Sequence, residues 1–255
     1  MSTRLWAAAL FACVSLSVVS SPAQASAPAF DHSLWDEIVQ AHVDDDGRVA
    51  YRRLRESDAA RLDTYLEALA RADAAAMPVR GRLAFYINAY NATVFRSVLK
   101  GRTAESLVSR ARFFRFDEHT IAGRSISLED LENEIIRKEF GDPRIHFALV
   151  CASTSCPKLA KRAYTAENLD ALLDERGRAF LADRSRNPLG QSDTLVVSAI
   201  FKWFAEDFEA RAGSVQEFLA TWLDQDAPAC LAKRACRLSY ADYDWSLNAQ
   251  PNQRP

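Results

Sequence analysis

Beyond its N-terminal leader the chain has no apolar run long enough to span a bilayer, no basic stripe, no polybasic cluster and no internal repeat. The first absence removes a helical membrane span from the mature chain. The second and third argue against a nucleic-acid groove and an anionic-lipid surface. With 32 basic and 34 acidic residues the net charge is −2, and the signs are interspersed. No zinc signature is present either: His146, Cys151 and Cys156 have an unusual spacing and no obvious fourth ligand. The run Asp44, Asp45, Asp46, Gly47 lacks the spacing and the distal Glu of an EF-hand and reads as a turn. No metal or cofactor is called for by these residues.

What is present begins with an export signal. Arg4 supplies a positive n-region, Leu5 to Val19 an apolar h-region, and Ala23, Gln24, Ala25 a small-x-small cleavage site. The expected mature chain therefore covers residues 26–255, is periplasmic or secreted, and carries a net charge of about −3 once Arg4 is gone. Cys13, in a loose lipoprotein-like box, is the alternative anchor. Four cysteines remain: Cys151, Cys156, Cys230 and Cys236. In an oxidising compartment four cysteines allow three pairings, of which neighbour pairing is the simplest.

The spacing of apolar residues is mostly helical. Leu62, Tyr65, Leu66 and Leu69 form one stripe, and a longer helix is predicted over 79–100. Ser127 and Ser214 open capping boxes, and Thr165 caps a further helix. Phe113 to Phe116 with the following residues suggests a hairpin turning at Ala122 and Gly123. Ile145–Val150 and Leu195–Ser198 are candidate central strands, and residues 185–193 a long loop. The expected fold is a helix-rich, single-domain α+β chain around a small sheet, taken as antiparallel, with a frayed tail after Asn248.

The strongest candidate site is the stretch from Arg144 through His146 to Cys151, Ser153, Ser155, Cys156 and Pro157. On a regular strand His146 and Cys151 face opposite ways, about 17 Å apart. Cys156 is then the better partner for the imidazole, the more so if Pro157 opens a helix whose dipole favours a thiolate. Cys156 as nucleophile and His146 as base would form a hydrolase or acyl-transferase pair acting on amide, thioester or ester bonds. The competing reading is a Cys151–Cys156 disulfide closing the loop of a ligand-binding or scaffold domain. Asn88 and Asn91 share a helix face and could orient the base, stabilise an oxyanion or tie down loops. Glu132 follows Leu131 and sits one turn before Ile135 and Ile136, which leaves two readings: a solvated position on a charged helix face, or a carboxylate drawn inward that would need Arg137, Arg144 or His146 as partner. Ser153, Ser155, Arg144 and Lys202 are candidate substrate contacts, and Ile200, Trp203, Phe204 and Asp207 share a face that reads as core. The expected partner is a small molecule or peptide.

Taken together, Gly47, Val49 and Tyr51; Tyr86, Asn88 and Asn91; Leu128, Asp130, Glu132 and Arg137; Arg144, His146, Cys156 and Pro157; Phe201, Trp203, Asp207 and Phe208; and Tyr243, Trp245 and Asn248 resemble the family known as domain of unknown function 547. That resemblance implies one self-contained domain and assigns no reaction. Cys230 and Cys236 fall outside the pattern and read as a local C-terminal disulfide.

Overall fold

A computed structural model describes residues 29–223 and 227–255. The expected leader, its expected cleavage site and Cys13 lie outside the described residues. Helices α1 (Ser33–His42), α2 (Tyr51–Ser57), α3 (Ala59–Arg71) and α4 (Val79–Leu99) form the N-terminal half. Almost every residue of α4 beyond its first turn is buried, making it the central helix against which the others pack. After α5 (Leu107–Ala111) and a π-helical turn at Arg112–Phe116, strands β1 (Glu118–Ile121) and β2 (Arg124–Ser127) form a hairpin. Its turn places Ala122 and Gly123 at positive φ, and their amides bond the last carbonyls of α3 at 2.9 and 2.8 Å. The turn thus satisfies orphan acceptors at a helix C-terminus.

Ser127 accepts from the Asp130 amide and opens a continuous helical run. It consists of α6 (Leu128–Asp130), a π-helical segment Leu131–Arg137 and α7 (Lys138–Phe140). The C-terminal half carries α8 (Leu169–Ala182), β3 (Thr194–Val197), α9 (Ile200–Trp203), α10 (Ala205–Ala212), α11 (Val215–Ala220), α12 (Ala229–Ala232) and β4 (Arg237–Tyr240). β3 and β4 pair in parallel. The helix-rich α+β class therefore holds, but the single antiparallel sheet divides into one antiparallel hairpin and one parallel pair. No helix among the described residues is long and apolar enough to cross a membrane.

Four local expectations need correction. Phe113 to Phe116 is π-helical instead of a strand. Thr165 caps a turn ahead of α8 whose own N-cap is Asn168. Residues after Pro157 form no helix until α8, which removes the expected dipole from Cys156. Ile145–Val150 is not a strand: Pro143–Phe147 makes a 3-10 turn with Asp142 accepting the Arg144 amide. The backbone groups that a sheet neighbour would have satisfied are taken by Asn91. Its side-chain nitrogen donates to the Ala148 carbonyl at 2.9 Å, and its oxygen accepts from the Val150 amide at 2.9 Å. One amide side chain replaces a strand partner.

The segment after Asn248 is also not frayed. Val49 donates to the Asn248 carbonyl, Gln250 to Val49 and Arg52 to Gln253, each at 3.0 Å, while Arg254 pairs with Glu105. Deleting residues 249–255 is expected to destabilise the chain by about 2 kcal/mol, from lost backbone bonds of about 1 kcal/mol each. A urea melt of the truncated protein checks this.

Apolar side chains gather in two clusters. One surrounds α4 and the other surrounds Phe180, Phe201, Phe208 and Phe218. Ile145 and Ala148 belong to the first and Phe147 to the second. The segment bearing His146 thus threads the junction between the cores, and a cavity opens beside it.

Candidate functional site

The cavity holds about 380 Å³. Its walls are largely apolar, built from Leu107, Phe114, Trp203, Phe204 and Trp245 together with the buried Leu149 and Ile200. Both π-helical turns contribute, the first through Phe114 and Arg115 and the second through Glu132 and Asn133. A π turn widens the helix by one residue and commonly marks sites where a side chain is re-aimed. Trp203, read from sequence as core, is 46% exposed. It stacks with Trp245 and Tyr243, and Arg110 lies over the Trp245 ring at 3.4 Å.

Glu132 and His146, which line the cavity, belong to a chain of ionisable groups that continues to Asp207 and Arg137. Arg137 clasps Asp207 with two bonds of 2.6 and 2.8 Å. Asp207 also meets His146 Nε2 at 2.7 Å. Burial alone would raise the Asp207 carboxyl, but the hydrogen bonds from His146 and Arg137 hold it well below the usual carboxylate range. For His146 burial prevails over the Asp207 contact, and its pKa falls below the ordinary value. The ring is therefore neutral at neutral pH. An ionised carboxylate can only accept, so the imidazole proton sits on Nε2 and Nδ1 carries a lone pair. Phe204, stacked on the ring at 3.9 Å, fixes its plane.

That lone pair faces Glu132, whose Oε1 lies 3.8 Å from Nδ1. Burial pushes the Glu132 carboxyl up from 4.5 to about 7, with a hydrogen bond from Tyr90 pulling the other way. Only 15% of this side chain is exposed. Protonated, Glu132 presents its hydroxyl toward an acceptor nitrogen. Ionised, it is a base lining the cavity. A carboxyl poised near neutrality beside a ring of fixed tautomer is an acid–base centre.

The cysteines form the adjacent wall. Cys151 is joined to Cys156 and Cys230 to Cys236, the neighbour pairing expected from spacing. Cys156 is thus no free nucleophile here, and His146 is spent on Asp207, so the Cys156–His146 pair does not form. Three donors surround Cys156 Sγ: the Cys151 amide at 2.9 Å, Ser153 Oγ at 3.3 Å and the Tyr243 hydroxyl at 3.3 Å. Burial raises the Tyr243 phenol to about 12, so it remains a donor.

Several candidates drawn from the sequence serve the frame. Asn88 bonds both backbone groups of Tyr164, at 2.7 and 3.0 Å, as Asn91 does for Ala148 and Val150, so neither amide is left for a substrate. Arg144 is held by Asp142, Asp170 and Asp174. Ser155 accepts from the Asp244 amide and is not part of the cavity wall. Lys202 points over the Tyr240 ring, also outside it. Ser153 touches the sulfurs. Of the proposed residues, the cavity brings together Glu132, His146, Cys151 and Cys156.

Asp207, Tyr90 and Tyr243 were not identified from sequence as site residues. Asp207 did leave a trace: a carboxylate on the same helix face as Trp203 and Phe204 requires a partner.

Comparison with known proteins agrees with the motifs. The family model described as Protein of unknown function, DUF547, matches residues 75–181. The match spans Glu132, Arg137, His146 and both cysteines of the first bridge, and ends before Asp207 and Tyr243. No curated protein and no solved structure matches the chain.

Proposed function

We propose that this DUF547 family member is a hydrolase of small esters, thioesters or amides in which Glu132, not a cysteine, activates the attacking water. One observation carries the reading: a recessed carboxyl, raised to about 7, lines a largely apolar cavity beside His146. Ionised Glu132 removes a proton from water as the oxygen attacks the carbonyl carbon. The same proton then passes to the leaving group. The lone pair of His146 Nδ1, 3.8 Å from Glu132 Oε1, disfavours the ionised carboxyl and so steadies the protonated state, while Asp207 and Arg137 keep the ring oriented. The hydroxyls of Tyr90 and Tyr243 stay protonated across the neutral range because burial raises both phenols; Tyr90 donates to Glu132, and Tyr243, which lines the cavity, is the donor for a developing oxyanion. Leu107, Phe114, Trp203 and Trp245 accommodate an apolar acyl or aryl body.

The chain is proposed to act after export, where two bridges of short sequence separation persist. A second reading, a ligand-binding domain without chemistry, is favoured by one fact: Asn88, Asn91 and Arg144 are all consumed by structure.

A panel of p-nitrophenyl esters of increasing acyl length, with matching thioesters, tests the choice. Turnover is expected to rise with pH through about 7 and to fall at least about 100-fold in Glu132→Gln. The double variant Cys151→Ser, Cys156→Ser should retain it. Loss of turnover in the cysteine variant with retention in Glu132→Gln would transfer the chemistry to sulfur. Saturable binding of the probes without turnover would leave the binding reading.

A further inference from the structure

The Cys151–Cys156 bridge is redundant as a staple. The loop it closes is already pinned along the C-terminal segment: Thr154 donates to the Ser246 carbonyl at 2.8 Å, Ser155 to Asp244 at 3.1 Å, and Asn248 to Ala152 at 3.0 Å. Arg186 adds bonds to the carbonyls of Thr154 and Cys156, both at 2.8 Å. Opening the bridge would leave all of these in place.

The two sulfurs are unlike. Cys156 is 2% exposed, whereas Cys151 is only partly buried. Ser153 Oγ and the Tyr243 hydroxyl lie within reach of both, at 3.1 and 3.4 Å from Cys151 Sγ and 3.3 Å each from Cys156 Sγ. The Cys151 amide, at 2.9 Å, bonds Cys156 Sγ alone. A bridged sulfur is a weak acceptor and has little use for three donors. A thiolate needs them, because hydrogen bonds to the charged form stabilise it.

We propose that the bridge is a thiol–disulfide exchange site opening into the cavity, with Cys151 the sulfur attacked by a small thiol and Cys156 the leaving thiolate. The inference stands apart from the hydrolase reading, since it requires nothing of Glu132. In the first step the thiolate of a low-molecular-weight thiol forms a bond to Cys151 Sγ. The protein S–S bond breaks, and its electron pair departs on Cys156 into the donor cradle. In the second step another small thiol attacks the small-molecule sulfur of the mixed disulfide and releases Cys151. Two small thiols are oxidised to their disulfide, the bridge is reduced to two thiols, and the protons come from the incoming thiols. The leaving group's stability governs the rate of such exchange. The apolar walls would favour a thiol with an apolar or aromatic body.

The test uses the native, doubly bridged protein with reduced glutathione as the probe. Exposure at neutral pH is followed by an acid quench, alkylation and peptide mass mapping, with circular dichroism confirming that the chain stays folded. The expected result is a glutathione adduct on Cys151, an alkylated Cys156 and an intact Cys230–Cys236 bridge. Tyr243→Phe should open about tenfold more slowly, the size of one hydrogen bond to a charged group. Cys156→Ser should form a single stable adduct on Cys151 with oxidised glutathione. A bridge that resists glutathione in the folded chain, an adduct on Cys156, equal opening of both bridges, an unchanged rate in Tyr243→Phe, or no adduct in Cys156→Ser would each overturn the proposal. Ester turnover plays no part in any readout, so the hydrolase reading can fail without affecting this result.

Discussion

Glu132→Gln is expected to make the folded chain more stable than the wild type above neutral pH, by about 3 kcal/mol near pH 8, and to have little effect near pH 4. The reason is linkage. Glu132 titrates at about 7 in the folded chain against an ordinary 4.5. Below about 4.5 both folded and unfolded chains hold the proton, and burying the neutral carboxyl carries no charge penalty. As pH rises toward 7 the unfolded chain ionises first, so stability is lost progressively and the loss is complete once the folded carboxyl also ionises. Each pKa unit is worth about 1.4 kcal/mol, so the rise from 4.5 to about 7 corresponds to about 3 kcal/mol. Glutamine keeps the shape of the protonated acid and accepts from Tyr90, yet has no charge to desolvate. Paired chemical melts of wild type and variant across this range give the difference directly. A difference that does not change with pH would show that burial leaves Glu132 unperturbed. Stabilisation combined with loss of turnover is the mark of a residue kept for chemistry at the expense of stability.

Asn91→Ala is expected to be the most damaging single truncation in the polar frame, costing about 3 kcal/mol. It removes a buried amide that bonds two backbone groups, the Ala148 carbonyl and the Val150 amide. Each buried group left without a partner costs roughly 1–3 kcal/mol, and neither has a strand neighbour to turn to. Asn91→Asp should be nearly as costly, because a carboxylate cannot donate to the Ala148 carbonyl. Urea unfolding measures both, and a cost under about 1 kcal/mol would show that water or another group replaces the amide. The residues it positions, Ala148 to Val150, lie between His146 and the first bridge. Loosening them should also broaden the environment of His146, visible in its imidazole resonances.

These two residues show where sequence reasoning succeeds and where it stops. Helices α3 and α4, the hairpin at Ala122 and Gly123, and the starts at Ser127 and Ser214 follow from local spacing and capping chemistry, which act within a few residues, whereas α1 and α2 were not read from the sequence. For Glu132 the local pattern leaves a solvated face and an inward position both open, and the structure decides for the inward one. Ile145–Val150 reads as a strand because its composition is that of a strand. Its conformation is decided instead by Asn91, more than fifty residues earlier in the chain. The pairing of His146 with Asp207 and the approach of Tyr243 to Cys156 likewise join residues 61 and 87 positions apart. No local pattern encodes such distances. The parity argument that separated His146 from Cys151 rested on a regular strand and lapses with it.

The most direct measurement is a carboxyl-carbon NMR titration of the folded protein, with Glu132 assigned by its disappearance in Glu132→Gln. A recessed acid raised by burial should titrate near 7, and the imidazole should stay neutral with its proton on Nε2 through the same range. A Glu132 midpoint close to 4.5, or an imidazolium at neutral pH, would contradict the acid–base centre and with it the hydrolase.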